Sequence, residues 1–160
     1  MILIECLILC VLITVMIYCI SRDPLNQVYN YPPEIQARVK SLPEYKDRIP
    51  TQKNKIGVKL FACIFFAAVI GAILKYVNHV SSFKEAFFTA FLIWSVVNLY
   101  DAVVLDILWF CHDPRFIIPG TEDMTEAYHD YWFHIKGSLI GEGLALIVCL
   151  LAAVLVQYVF

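Results

Sequence analysis

The chain has little charge and little glycine: 16% of its 160 residues are Asp, Glu, Lys or Arg, and six are glycine. Soluble domains carry about 25% charged residues, so this scarcity excludes a well-solvated surface over most of the length. No internal repeat or low-complexity segment is present, which argues against a solenoid or a flexible linker. The six cysteines (Cys6, Cys10, Cys19, Cys63, Cys111, Cys149) form no C-x-x-C pair and no zinc-type spacing. They read as small hydrophobes rather than a disulfide framework or a thiol site. H-E-x-x-H, G-x-S-x-G, paired D-x-x-D and a glycine-rich phosphate loop are all missing, which counts against the familiar chemistries. A formal charge of −2 offers no basic surplus, and nucleic acid is not expected as a partner.

What fills the sequence is apolar. Hydrophobic residues make up 61%, against about 45–50% in soluble domains. Four stretches, at 2–20, 56–77, 87–111 and 135–160, approach or exceed the roughly 20 residues that a helix needs to cross a bilayer. The first lacks a basic leader and a small-x-small cleavage site, so it reads as a span and not a signal peptide. The expected fold is all-α: one polytopic domain over 1–160, an integral membrane four-helix bundle, with a short interfacial helix in each of the connections 21–55 and 112–134.

Basic residues are distributed unevenly about these spans. Arg22, Arg38, Lys40, Lys46, Arg48, Lys53, Lys55 and Lys59 lie in or beside the first connection, and Arg115 and Lys136 flank the third. The second connection holds only Lys75 and Lys84. The positive-inside rule then predicts a multi-pass protein of the cell (cytoplasmic, inner) membrane, with connections 21–55 and 112–134 in the cytoplasm and both termini outside. Within the first connection, Glu34–Leu42 can form a helix with Pro33 in its first turn. Ile35, Val39 and Leu42 would share one face, suited to the inner leaflet, and the basic residues would be drawn to anionic lipid headgroups.

Two aspartates stand inside the third span. Ionisable groups at bilayer depth are costly and tend to face a bundle interior or an aqueous cavity. A capping box, Ser82-x-x-Glu85, starts this helix and Asp113-Pro114 ends it. At 100° per residue Trp94, Asn98, Asp101, Trp109 and His112 fall within an arc of about 80°, with Asp106 roughly 80° from Asn98 on the other flank. In the fourth span Gly137, Gly141 and Ala145 form a small-x-x-x-small seam beside Glu142, and Ala67, Ala68, Gly71 and Ala72 give the second span a similar face. Depth counting places Glu142 level with Asp106. Asn98, Asp101, Asp106 and Glu142 are therefore the expected polar pocket on the cytoplasmic half, whereas Glu5 is expected to snorkel to the outer interface.

Between the third and fourth spans lie Pro119-Gly120, suited to a type II turn, and the tract Tyr128-His129-Asp130-Tyr131-Trp132-Phe133-His134. Asp130 and His134 are spaced for a carboxylate to orient an imidazole. Tyr128, Tyr131, Trp132 and Phe133 read as an interfacial aromatic belt. His112, Arg115, Asp130 and His134 form a second candidate site, and Asp106, His112, His134 and Glu142 are the residues able to hold a divalent metal. The Pro119-Gly120-Thr121-Glu122 turn followed by Tyr128, Asp130, Tyr131, Phe133 and His134 resembles small, uncharacterised four-span bacterial membrane proteins that carry such a turn and a Tyr-x-Asp-Tyr-x-Phe-His segment. The resemblance covers about the last 70 residues; it implies the four-span architecture and no activity.

Three classes of function follow. The favoured one is an accessory, assembly or regulatory membrane subunit whose polar residues bind other helices, in a homo-oligomer or with a membrane protein partner. The second is proton- or cation-coupled transport by a homo-oligomer through Asp101, Asp106 and Glu142. The third is a membrane-embedded enzyme, metal-dependent or using an acid/base pair, that acts on a lipid-like substrate.

Overall fold

The computed structural model describes residues 1–50 and 56–160, so Lys53 and Lys55 of the basic cluster, and the side chain of Lys59, lie outside what is described. Among the described residues the structure is helical, without a strand. Four long apolar helices stand where the hydropathy predicts them: α1 (Ile2–Ile20), α3 (Ile56–Ala72), α4 (Phe83–Tyr100) and α6 (Tyr131–Tyr158). A short helix, α2 (Pro33–Ser41), occupies the first connection, and one turn, α5 (Thr125–Tyr128), precedes α6. Each long helix is, by length and composition, able to cross a membrane. On α1 only Cys6 is buried, while Leu3, Ile4, Leu7, Val11 and Leu12 are exposed. A helix apolar on all sides and uncovered by protein is the form that lipid solvates.

Two helices continue in π form, α3 over Ile73–Val77 and α4 over Asp101–Phe110. A π-helix closes i→i+5 hydrogen bonds and turns less per residue than an α-helix. The 100° arithmetic therefore fails beyond Tyr100, where both aspartates lie.

The chain divides into two compact units. The first comprises Met1–Leu9, Lys53–Leu99 and Ser138–Phe160; the second comprises Cys10–Gln52 and Tyr100–Gly137. In the first, small residues let backbones approach. A Cβ on Gly71 would stand 3.3 Å from the Ala152 carbonyl and 3.2 Å from the Phe160 ring. The buried seam of α6 is Ala145, Val148, Cys149, Ala152, Ala153 and Val156; of the expected small residues Ala145 belongs to it and Gly141 lies close to α4, but Gly137 does not take part. Gly137 faces open space, with nothing within 4 Å of where its Cβ would be. Ala67, Leu74, Val80, Ala86 and Ala90 complete the core of this unit. The capping box is realised in its main bond, Glu85 N–H donating to Ser82 Oγ at 3.3 Å.

The second unit has a core of its own: Leu25, Val28, Tyr31, Ile35, Val39, Tyr45, Ile118, Ala127 and Tyr128. Here α2 forms as predicted, and Ile35 and Val39 are fully buried while Arg38 and Lys40 are exposed. Its apolar face is covered by protein and is not free for a leaflet. Three tyrosine hydroxyls pin the third connection. Tyr31 donates to the Phe116 carbonyl at 2.8 Å, Tyr45 donates to the Pro119 carbonyl at 3.0 Å, and Tyr128 accepts from Ile118 N–H at 3.0 Å. Tyr128 is 4% exposed, so it leaves the expected aromatic belt, whereas Tyr131 and Trp132 remain exposed. The Pro119-Gly120 turn has the positive φ of 87° that a type II turn demands at its third residue.

Candidate functional site

The expected acidic pocket resolves into two polar groups, one in each unit. In the first, α4 and α6 are joined through Glu142. Its carboxylate accepts from Asn98 Nδ2 at 3.0 Å and from Ser95 Oγ at 3.2 Å. Asn98 Nδ2 also donates to the Ser138 carbonyl at 3.1 Å. Gly141 makes the approach work, because a Cβ there would stand 3.1 Å from Asn98 Oδ1. The partners of Glu142 are thus an amide and a hydroxyl, both neutral, and the arrangement ties two helices together without needing a second ionisable group. Ser95, one turn before Asn98, is a member that the sequence reading passed over; its i, i+3 spacing to Asn98 was the available signal.

In the second unit Asp106 pairs with His134, Oδ2 to Nδ1 at 3.2 Å. This replaces the expected Asp130–His134 couple: Asp130 instead caps the following helix, accepting from Phe133 N–H at 3.0 Å. Asp106 stands on the π-helical stretch Asp101–Phe110, and its partner on α6 is His134 and not Glu142. His134 is 5% exposed and lies edge-on to Phe110 at 5.0 Å. Its Nδ1 faces Asp106, and its Nε2 is buried without a hydrogen-bond partner. Asp101, half-buried on the same π-helical stretch, is within electrostatic range of both.

The remaining interfacial candidates lie apart from this pair. His112 donates Nδ1–H to the Ile107 carbonyl at 3.0 Å, and its ring meets His129 at 5.1 Å. His112 and His129 line a shallow cleft of about 160 Å³ with Asp113, Glu122 and Tyr128. Arg115 pairs with Asp113 at 3.5 Å. Asp113 caps the 3₁₀ turn Pro114–Phe116 through Arg115 N–H at 2.9 Å and accepts from the Trp109 indole at 2.8 Å. These bonds, the backbone one foremost, hold its carboxyl below the ordinary range. The metal candidates do not gather: among the described residues no group of three or more His, Cys, Asp or Glu side chains could hold an ion.

Glu5 departs from expectation as well. Its Oε2 accepts from Asn78 Nδ2 at 3.1 Å, and its Oε1 is buried without a partner, so it is engaged within the first unit instead of snorkelling. No protein-family model, curated protein or solved structure matches the chain.

Proposed function

We infer that this four-helix, apolar chain is a multi-pass membrane protein of the accessory, assembly or regulatory kind, inserted with connections 21–55 and 112–134 on the cytoplasmic side of the cell membrane. The observation that carries this reading is the Ser95–Asn98–Glu142 network. Glu142 takes its hydrogen bonds from neutral groups on a neighbouring helix, which is how polar side chains serve helix association. The ten-to-two bias of Lys and Arg supports the orientation. The exposed apolar flanks of α1, α3, α4 and α6 supply surface for lipid or for partner helices. The two short helices of the connections, α2 and α5, would then lie at the inner interface.

The test is purification of the tagged chain from membranes in mild detergent, beside Asp101→Asn, Asp106→Asn and Glu142→Gln. An accessory subunit is expected to bring a larger complex with it, and the amide variants, which keep polar atoms but lose charge, are expected to retain that complex. A chain that purifies alone while the amide variants lose proton-coupled flux in proteoliposomes would sink this reading. The alternative is proton-coupled transport, favoured by the buried, unpartnered Nε2 of His134 beside Asp106. On that reading His134→Gln abolishes flux and leaves folding intact.

A further inference from the structure

We propose that the cleft between Arg22 and Arg115 in the second unit is a binding site for the phosphate group of an anionic membrane amphiphile. The cleft has a volume of about 260 Å³ and is lined by Tyr18, Ser21, Arg22, Pro24 and Arg115. Two guanidinium groups from segments far apart in sequence converge on one ring: Arg22 lies 5.8 Å and Arg115 5.3 Å from the centroid of Tyr18. Both distances fall within the roughly 6 Å over which a ring attracts a cation. Both guanidinium groups line the same cleft, where an anion would meet two positive charges. The carboxylate on hand, Asp113, pairs with Arg115 at 3.5 Å. It is already held by the Trp109 indole and by Arg115 N–H. Asp23, next in the chain, accepts from Asn26 at 2.8 Å. Arg22 has no ion pair among the described residues, so the cleft keeps an unmatched positive charge.

The ligand class follows from chemistry and placement. Planar guanidinium groups match phosphate oxygens in a bidentate way. Tyr18 stands in the last turn of α1, and Val11, Leu12, Val15 and Met16 on that helix are exposed. An apolar flank leading to a paired-arginine cleft suits an acyl chain and its phosphate together, which favours a lipid over free phosphate. The inference rests on the chain's being embedded in a membrane. Failure to partition into membranes at all would defeat that premise, whereas partition without headgroup preference defeats this inference alone.

The experiment uses the full chain, reconstituted in vesicles of phosphatidylcholine or of an equimolar mixture of phosphatidylcholine and phosphatidylglycerol, then released in mild detergent for native mass spectrometry. Wild type is expected to retain phosphatidylglycerol in preference to phosphatidylcholine. Arg22→Gln/Arg115→Gln should cut that retention about tenfold or more, since it removes the charged donors to the phosphate. Arg48→Gln, which removes a positive charge elsewhere in the first connection, should leave it unchanged. Equal loss in Arg48→Gln, or retention by the double variant, overturns the proposal. Displacement of the lipid by inorganic phosphate alone at matched concentration overturns the assignment to a lipid. Should the double variant not fold, the wild-type comparison decides: equal retention of the two lipids refutes the site.

Discussion

Asn98 is held by Glu142 and by the Ser138 carbonyl, with Gly141 close against its side-chain oxygen. Hydrogen bonds between helices in a membrane average about 0.6 kcal/mol and reach about 1.7, so Asn98→Ala should cost about 1 kcal/mol in unfolding from mixed micelles. Gly141→Ala places a methyl where Asn98 Oδ1 now lies at 3.1 Å. With Asn98 truncated, the atom that the methyl would crowd is gone, so any loss from Gly141→Ala should be smaller in the double variant than in the single one. Additive losses would show that Gly141 is spaced for some other reason. Asp113 offers a second test at this scale. As the cap of Pro114–Phe116 it should cost about 1 kcal/mol on replacement by alanine. Its carboxyl titrates below the ordinary 3.8 in the folded chain. The stabilisation is therefore full above that ordinary value and fades as pH falls through the lower, folded one. Denaturation followed by tryptophan fluorescence should find wild type and Asp113→Ala converging in acid. A gap that persists at low pH would contradict the ionic cap.

The elements divide into those whose period is α-helical throughout and those where it changes. The start of α4 was legible because capping chemistry is local: Ser82 precedes the apolar run and meets Glu85 N–H. Gln157 adds a non-local cap, accepting from Phe83 N–H at 2.9 Å. Nothing in the sequence near Phe83 announces this, because the partner is 74 residues away. Ser82→Ala is expected to cost about 1 kcal/mol and Ser82→Asp to restore most of it, with thermal unfolding in detergent as the measure. A neutral Ser82→Ala would mean that Gln157 alone satisfies the first turn. The π-helical stretch Asp101–Phe110 was not legible. Apolar residues surround both aspartates in either helical form, so composition does not distinguish 3.6 residues per turn from a wider one. Of the expected pocket, Asn98 and Glu142 meet each other, whereas Asp106 meets His134.

At the scale of the whole molecule, each unit has its own means of cohesion. The first relies on close approach of small residues, from Ala67 and Gly71 to Ala152 and Ala153. The second relies on tyrosines whose rings are buried and whose hydroxyls bind main-chain atoms. Burial, aided by the nearby Tyr128, raises the Tyr31 hydroxyl well above its ordinary value of 10.0. A tyrosine whose folded pKa is raised contributes its stability in full below the unfolded value. That stability is lost as pH climbs from about 10 toward the folded value. Alkaline unfolding should therefore set in above about pH 10 and move to higher pH in Tyr31→Phe, at a cost near neutrality of about 1 kcal/mol for the lost hydrogen bond. An unchanged alkaline midpoint in Tyr31→Phe would assign the transition to another group.

Hydropathy, charge asymmetry, capping and turn chemistry are short-range properties. They were enough to place four apolar helices, the start of α4, the helix α2 with Ile35 and Val39 on one face, and the Pro119-Gly120 turn. Only the tertiary structure decided that α2 is covered by Ile118 and Tyr128, that Glu142 bonds Ser95 and Asn98, and that Asp106 pairs with His134. Those outcomes depend on which distant segments meet, and an apolar surface or a lone carboxylate accepts many partners equally well until packing selects one.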